Sequence, residues 1–133
     1  MPRMMSFSMT KDAVREGTKT VTRRTGWHFH KPGDVLWAVE QAMGLPKGGH
    51  VVKIRLIRVV SVEQQGLGAL LSGNRGRWPL DEMVREGFPG MTPQAFIDMF
   101  CEANGWHPEW EVNRIEFEYV NPDEVFGGTR RRR

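Results

Sequence analysis

The residues able to do chemistry are concentrated in one short run. Residues 16–24, EGTKTVTRR, hold one lysine, three threonines and two arginines, with almost nothing apolar to bury. In an extended backbone successive side chains alternate, so Thr20, Thr22 and Arg24 share one face and Val21 and Arg23 the other. Lys19, at the turn before them, is placed to fold back toward Thr22 and Arg24. A lysine beside a threonine hydroxyl makes a base–nucleophile pair once its ammonium gives up a proton, which desolvation or a nearby cation such as Arg24 promotes. The same residues also suit a solvated loop or a simple anion site. The run is not a P-loop, because the G-x-x-x-x-G-K-[ST] spacing is missing.

A second candidate is Glu86, in REGFPGM (residues 85–91). It falls at a helix end just before a glycine, where the macrodipole disfavours a carboxylate. A local conflict of that kind points to a strong partner or a function. Other candidates are weaker. His28 and His30 share a face if extended, but zinc wants at least three protein ligands, and His50, His107 and Cys101 show no ligand spacing. No metal and no cofactor are expected. Cys101 reads as a small buried hydrophobe. Trp37 reads as core. Trp27 and Trp78 lie in polar loops, where a ring often lines a pocket, and a stacked base gains ~1–3 kcal/mol from one.

These residues need elements to hold them. Residues 4–9 read as a strand leading into a helical turn, with Thr10 as N-cap and Gly17 ending the turn. KPGDVLWAVE (31–40) reads as a turn and a strand, with Val35, Trp37 and Val39 on one face. VVKIRLIRVVSVEQ (51–64) is a long β-branched strand whose alternation breaks at Ile57, the mark of a bulge or of burial on both faces. A short helix carries Leu80, Met83 and Val84. The clearest helix starts at Thr92-Pro93, repeats Phe96, Met99, Phe100 and Ala103, and stops at Asn104-Gly105. EVNRIEFEYV (111–120) closes the domain as a strand, with Ile115, Phe117 and Tyr119 inward. Strand–helix–strand units do not alternate as a parallel sheet requires. The pattern predicts an α+β fold: a small, mostly antiparallel β-barrel with flanking helices, closed so as to hide its edges.

Composition sets the outer bounds. The 133 residues suit a single domain over 1–120 with a flexible tail over 121–133. One cysteine excludes an internal disulfide and fits a reducing cytoplasm. No apolar run reaches the ~20 residues of a membrane span. The net charge of +3 falls to −1 once Arg130–Arg133 are set aside, so the body is not a basic nucleic-acid-binding surface.

GTKTVTRR matches the G-x-K-x-x-x-x-R signature of the ASCH domain, a PUA-like β-barrel, through Gly17, Lys19 and Arg24. KPGDVLWAVE resembles that family's PGD turn entering a strand. The REGFPGM helix end and the closing EVNRIEFEYV strand follow in the family's order. The resemblance covers residues 4–120 and is closest to small bacterial and phage members. Some of these are amidohydrolases that deacylate N4-acetylcytidine with a lysine, a threonine and a glutamate. The resemblance implies Lys19, Thr22 and Glu86 as catalytic residues, with Thr22 or a water as nucleophile. Around them Arg24, Glu40, Trp27 and Trp78 are expected to bind substrate, a modified nucleoside or base. Arg24 and backbone N–H groups near Gly17 are the expected oxyanion donors. The chain departs from the smallest amidohydrolases by longer loops at EQAMGLPKGGH and SGNRGRW. Two alternatives stay open: an RNA-binding module using Arg23, Arg24, Arg75, Arg77 and the Arg tail, or a ribonuclease.

Overall fold

The computed structural model describes residues 3–27, 30–42, 45, 47–72 and 80–127. Trp78, Arg75, Arg77, His28 and Arg130–Arg133 lie outside them. Five strands form one curled, mixed sheet: β1 (Arg3–Ser6), β2 (Val21–Arg24), β3 (Val35–Val39), β4 (Lys53–Gly66) and β5 (Glu111–Val120). Their spatial order is β1-β3-β4-β5-β2. Only β1 and β3 run parallel; the other three pairings are antiparallel. The α+β, PUA-like architecture expected from the sequence is therefore present, as a half-barrel.

The sheet curls because β4 is long and irregular. Leu56 and Ile57 are both buried, so the strand is covered on both faces there, and its register with β5 slips between Val59 and Ser61. Burial on both faces is thus the explanation that holds at Ile57; the bulge lies further on, between Val59 and Ser61. The expected closure is absent among the described residues. The end strands β1 and β2 have four residues each, and a side chain spans the gap between them, with Arg24 Nη2 donating to the Ser6 carbonyl. That gap is where a cleft opens.

Two apolar cores flank it. Inside the curl, Met5, Phe7, Val14, Leu36, Ile57, Ile115 and Phe117 pack together. At the far end, Leu67, Leu70, Met83, Phe96, Ile97, Phe100 and Val112 pack under the helices α2 (Ala69–Ser72), α3 (Leu80–Arg85) and α4 (Pro93–Asn104). Helix α4 begins as its sequence predicts: the Thr92 hydroxyl accepts from Ala95 N–H, Pro93 follows, and Gly105 ends it in the left-handed region. Helix α1 (Lys11–Glu16) ends at Gly17, φ 84°, as expected. Thr10 does not cap it through its side chain; only its carbonyl accepts, from Val14. Trp37 is half-buried at the rim, stacked on Phe126, rather than core. Phe126 belongs to a π-helical turn, Asp123–Gly127, in the segment expected to be a flexible tail.

The turn after α3 needs a glycine. Gly87 has φ 94°, and a Cβ there would meet Thr10 Cγ2 at 3.1 Å and Ala13 Cβ at 3.3 Å. Gly87→Ala is expected to destabilise the fold by about 1–2 kcal/mol, the cost of a left-handed L-residue. Urea denaturation reads this directly, and an unchanged midpoint would contradict it.

Candidate active site

A cleft of about 380 Å³ lies between the two cores, at the open edge of the half-barrel. Lys19, Thr22, Arg24, Trp27 and Glu86 all line it. Lys19 is held there by its neighbours' backbone. Tyr119 Oη donates to the Lys19 carbonyl, and Thr20 N–H donates to the Arg85 carbonyl at 2.8 Å. The loop is thereby tied to β5 on one side and to α3 on the other.

Lys19 is 2% exposed and Glu86 equally so. Lys19 Nζ donates to the Glu86 backbone carbonyl and lies 3.2 Å from Glu86 Oε1. One cation thus answers the conflict that made Glu86 anomalous, by pairing with the carboxylate the macrodipole disfavours, and also satisfies a carbonyl at the helix end. Glu86 Oε2 accepts from Arg23 Nη1 at 2.8 Å. Burial pushes the Lys19 ammonium below its ordinary pKa. Glu86 opposes that shift, and Arg24 and Arg23 add to it.

Thr22, 5% exposed, accepts from Arg24 Nε at 3.2 Å. A cationic donor on Oγ1 stabilises the alkoxide over the hydroxyl. Arg24 itself lies over the Phe7 ring at 4.7 Å, and burial lowers its pKa to about 10, with Glu86 opposing. The cleft lining holds three cations, Lys19, Arg23 and Arg24, against one carboxylate, Glu86. Such a site favours negative charge developing on a ligand.

The other expected site residues divide. Trp27 lines the cleft and has φ 65°, rare for an aromatic residue. Its ring stacks on His30 at 5.2 Å, and Asn113 Nδ2 holds the preceding turn by donating to the Gly26 carbonyl at 2.6 Å. Glu40 is elsewhere. It pairs with Arg15 at 2.6 Å and does not line the cleft. Trp78 is outside the described residues. The backbone donors near Gly17 are already used: the N–H groups of Gly17, Thr18 and Lys19 donate to Val14 and Ala13 carbonyls. Helix capping consumes them, so these three N–H groups are not free to act as oxyanion donors.

Sequence reading missed a buried layer behind the cleft. Arg23 and Arg114 are paired directly across β2 and β5, and both are buried. Glu82 from α3, 1% exposed, sits between them. Its Oε2 is 2.6 Å from Arg23 Nη2 and accepts from Arg114 Nε at 2.6 Å. Burial alone would raise the Glu82 carboxyl, but the Arg114 hydrogen bond and both arginine charges outweigh it and hold it below its usual range. One sequence signal pointed there. Glu82 and Glu86 are four apart, so a helix puts them on one face beside the apolar Met83.

No family model and no curated protein matches the sequence. The backbone does have counterparts. It is similar to a protein of Enterococcus faecalis V583 described by the family model DUF984, with a TM-score of 0.61 and 16% identity over 90% of this chain and 80% of that one. It is also similar to an ASCH domain from Lactobacillus crispatus JV V101, with a TM-score of 0.55 and 14% identity over 88% of this chain and 78% of that one. Identities this low speak to the fold. The curled sheet, its helices and these two counterparts agree: the chain has an ASCH-like fold.

Proposed function

We propose that this protein is an amidohydrolase that removes the acyl group from N4-acylated cytosine or cytidine, converting N4-acetylcytidine and water to cytidine and acetate. The observation that carries the reading is the buried Lys19–Glu86 pair in a cleft that also holds the Thr22 hydroxyl. Amide hydrolysis needs a nucleophile, a base for it, and an acid for the leaving amine. In this reading the Thr22 oxygen attacks the acyl carbon, and uncharged Lys19 accepts its proton. Arg24, which in the free protein donates to the Thr22 oxygen, then stabilises the negative charge that forms on the acyl oxygen. Glu86 orients the cytosine and relays to the N4 nitrogen the proton that Lys19 took from Thr22, so that the amine leaves. Water then releases acetate from Thr22. If water attacks directly, Lys19 and Glu86 activate it and Thr22 holds it.

The RNA-binding alternative loses one of its cations. The Arg23 side chain is 0% exposed and clamped between Glu82 and Glu86, so it cannot reach a phosphate.

The test is direct. Purified protein is incubated with N4-acetylcytidine without added metal, and the ultraviolet shift to cytidine is followed. Turnover supports the reading; a folded protein inert toward both nucleoside and free base overturns it. Trp27, as a cleft wall, contributes binding. Trp27→Ala is expected to raise KM about tenfold, within the ~1–3 kcal/mol of a lost stacking surface, with kcat little changed. A kcat loss at constant KM would show that Trp27 instead shapes the reacting groups.

A further inference from the structure

The charged side chains behind the cleft form one continuous chain of alternating sign, Arg114–Glu82–Arg23–Glu86–Lys19. Its links are 2.6 Å from Arg114 to Glu82, 2.6 Å from Glu82 to Arg23, 2.8 Å from Arg23 to Glu86 and 3.2 Å from Glu86 to Lys19. No side chain in it is more than 4% exposed. Only its last three members line the cleft; Arg114 and Glu82 do not. Stability alone is a poor reason for such a chain, because well-packed apolar residues usually serve as well.

We propose that Glu82 is a positioning residue for the reaction, acting through Arg23 to fix the Glu86 carboxylate against Lys19. This rests on the amidohydrolase reading for its kinetic consequences but not for its geometry. Arg23 makes three contacts: Nε donates to Gln65 Oε1 at 3.1 Å, Nη1 donates to Glu86 Oε2 at 2.8 Å, and Nη2 is ion-paired with Glu82 Oε2 at 2.6 Å without hydrogen-bond geometry. A guanidinium anchored at two points cannot rotate, so its third contact has one direction. Arg114 anchors Glu82 in turn with two contacts, 2.6 and 3.2 Å. The Glu86 carboxylate is then held by Arg23 on one oxygen and by Lys19 on the other. Around Lys19 the charged and titratable groups are Glu86 from the end of α3, Arg23 and Arg24 from β2, and the Tyr119 hydroxyl of β5 on its carbonyl. Glu82 supplies the counter-charge nearest Arg23, so it also governs how strongly Arg23 acts on Lys19.

The test must not leave a lone buried charge. Glu82→Gln/Arg114→Met removes one charge of each sign and leaves Arg23 its Glu86 partner. Arg23→Lys keeps a cation beside Glu86 but cannot bridge two carboxylates. Each is expected to fold and to lower kcat about 10- to 100-fold with KM near native, the signature of misplaced reacting groups. Lys19 Nζ is titrated by NMR in the same proteins, which needs no turnover. In the double variant its titration is expected to move to lower pH, because Arg23 has lost its nearest counter-charge. A folded double variant with native kcat, or with an unmoved Lys19 titration, overturns the proposal. If the native protein turns over no N4-acylcytosine, the functional reading fails and the Lys19 titration alone decides this one.

Discussion

Lys19→Ala is expected to cut kcat for N4-acetylcytidine hydrolysis by about 10³-fold or more, the scale of a lost general base. Lys19→Arg separates the two roles a lysine can play here. Arginine keeps the positive charge beside Glu86 but does not give up its proton. If Lys19 works as a base, Lys19→Arg is as inactive as Lys19→Ala; substantial activity in the arginine variant would mean that the charge alone matters. The pH profile carries the same information. Burial holds the Lys19 ammonium below its ordinary 10.5, so kcat/KM is expected to rise with pH through that lowered value. The sign for stability is opposite to that of a lysine whose pKa a partner raises, because at Lys19 burial outweighs the Glu86 ion pair. Between the lowered folded value and 10.5 the unfolded chain binds more protons than the folded one. Stability from this group therefore increases as pH rises through that window. A protein shaped for stability alone would not bury Lys19 in this way.

The largest stability effect is expected at Glu82. Glu82→Ala would leave Arg23 and Arg114 opposite each other across two strands, both buried, with their shared counter-ion gone. Breaking a buried pair from one side costs about 3–5 kcal/mol. Against a total of ~5–15 kcal/mol for a domain, that is enough to unfold a large fraction of the protein near physiological temperature. The Arg58–Glu118 pair supplies the contrast. Its side chains are 40% and 52% exposed, and Glu118→Ala should cost no more than about 1 kcal/mol. Urea denaturation of the two variants side by side reads the difference. Equal losses would mean that water reaches the Arg23–Arg114 layer and that the network is not buried in solution.

Much of the lining of the candidate site was legible before the fold, for local reasons. Lys19, Thr22 and Arg24 stand out because six contiguous residues (19–24) without a full apolar face have no packing role to explain them. Glu86 stands out because its charge conflicts with its place in a helix. The structure brings all four into one cleft with Trp27. Glu40 was misplaced because nothing local distinguishes a carboxylate that faces the cleft from one that reaches across to Arg15. Arg114 was invisible for a related reason. By alternation it shares the Glu116 face of β5, which reads as solvent-facing, and only the packing of α3 over that face buries it.

Periodicity and turn chemistry in the sequence are enough to specify the elements: the α4 start at Thr92-Pro93, the left-handed stop at Gly17, the long irregular strand, the α+β class. These are local preferences, decided within a few residues by φ/ψ sterics and side-chain alternation. Tertiary structure decided three things those preferences cannot reach. Among the described residues it left β1 and β2 unpaired, with the Arg24 guanidinium rather than a strand pairing reaching the Ser6 carbonyl, and put the cleft in the gap. It tied the Lys19 loop down from both sides, with Thr20 N–H donating to the Arg85 carbonyl and Tyr119 Oη to the Lys19 carbonyl. And it placed Glu82 of α3 between Arg23 and Arg114, turning charges 91 positions apart along the chain into a single buried network (Arg23 to Arg114). The reason is the same in each case. The cost of burying a charge or a donor depends on what lies across the interface, and that partner comes from a distant part of the chain.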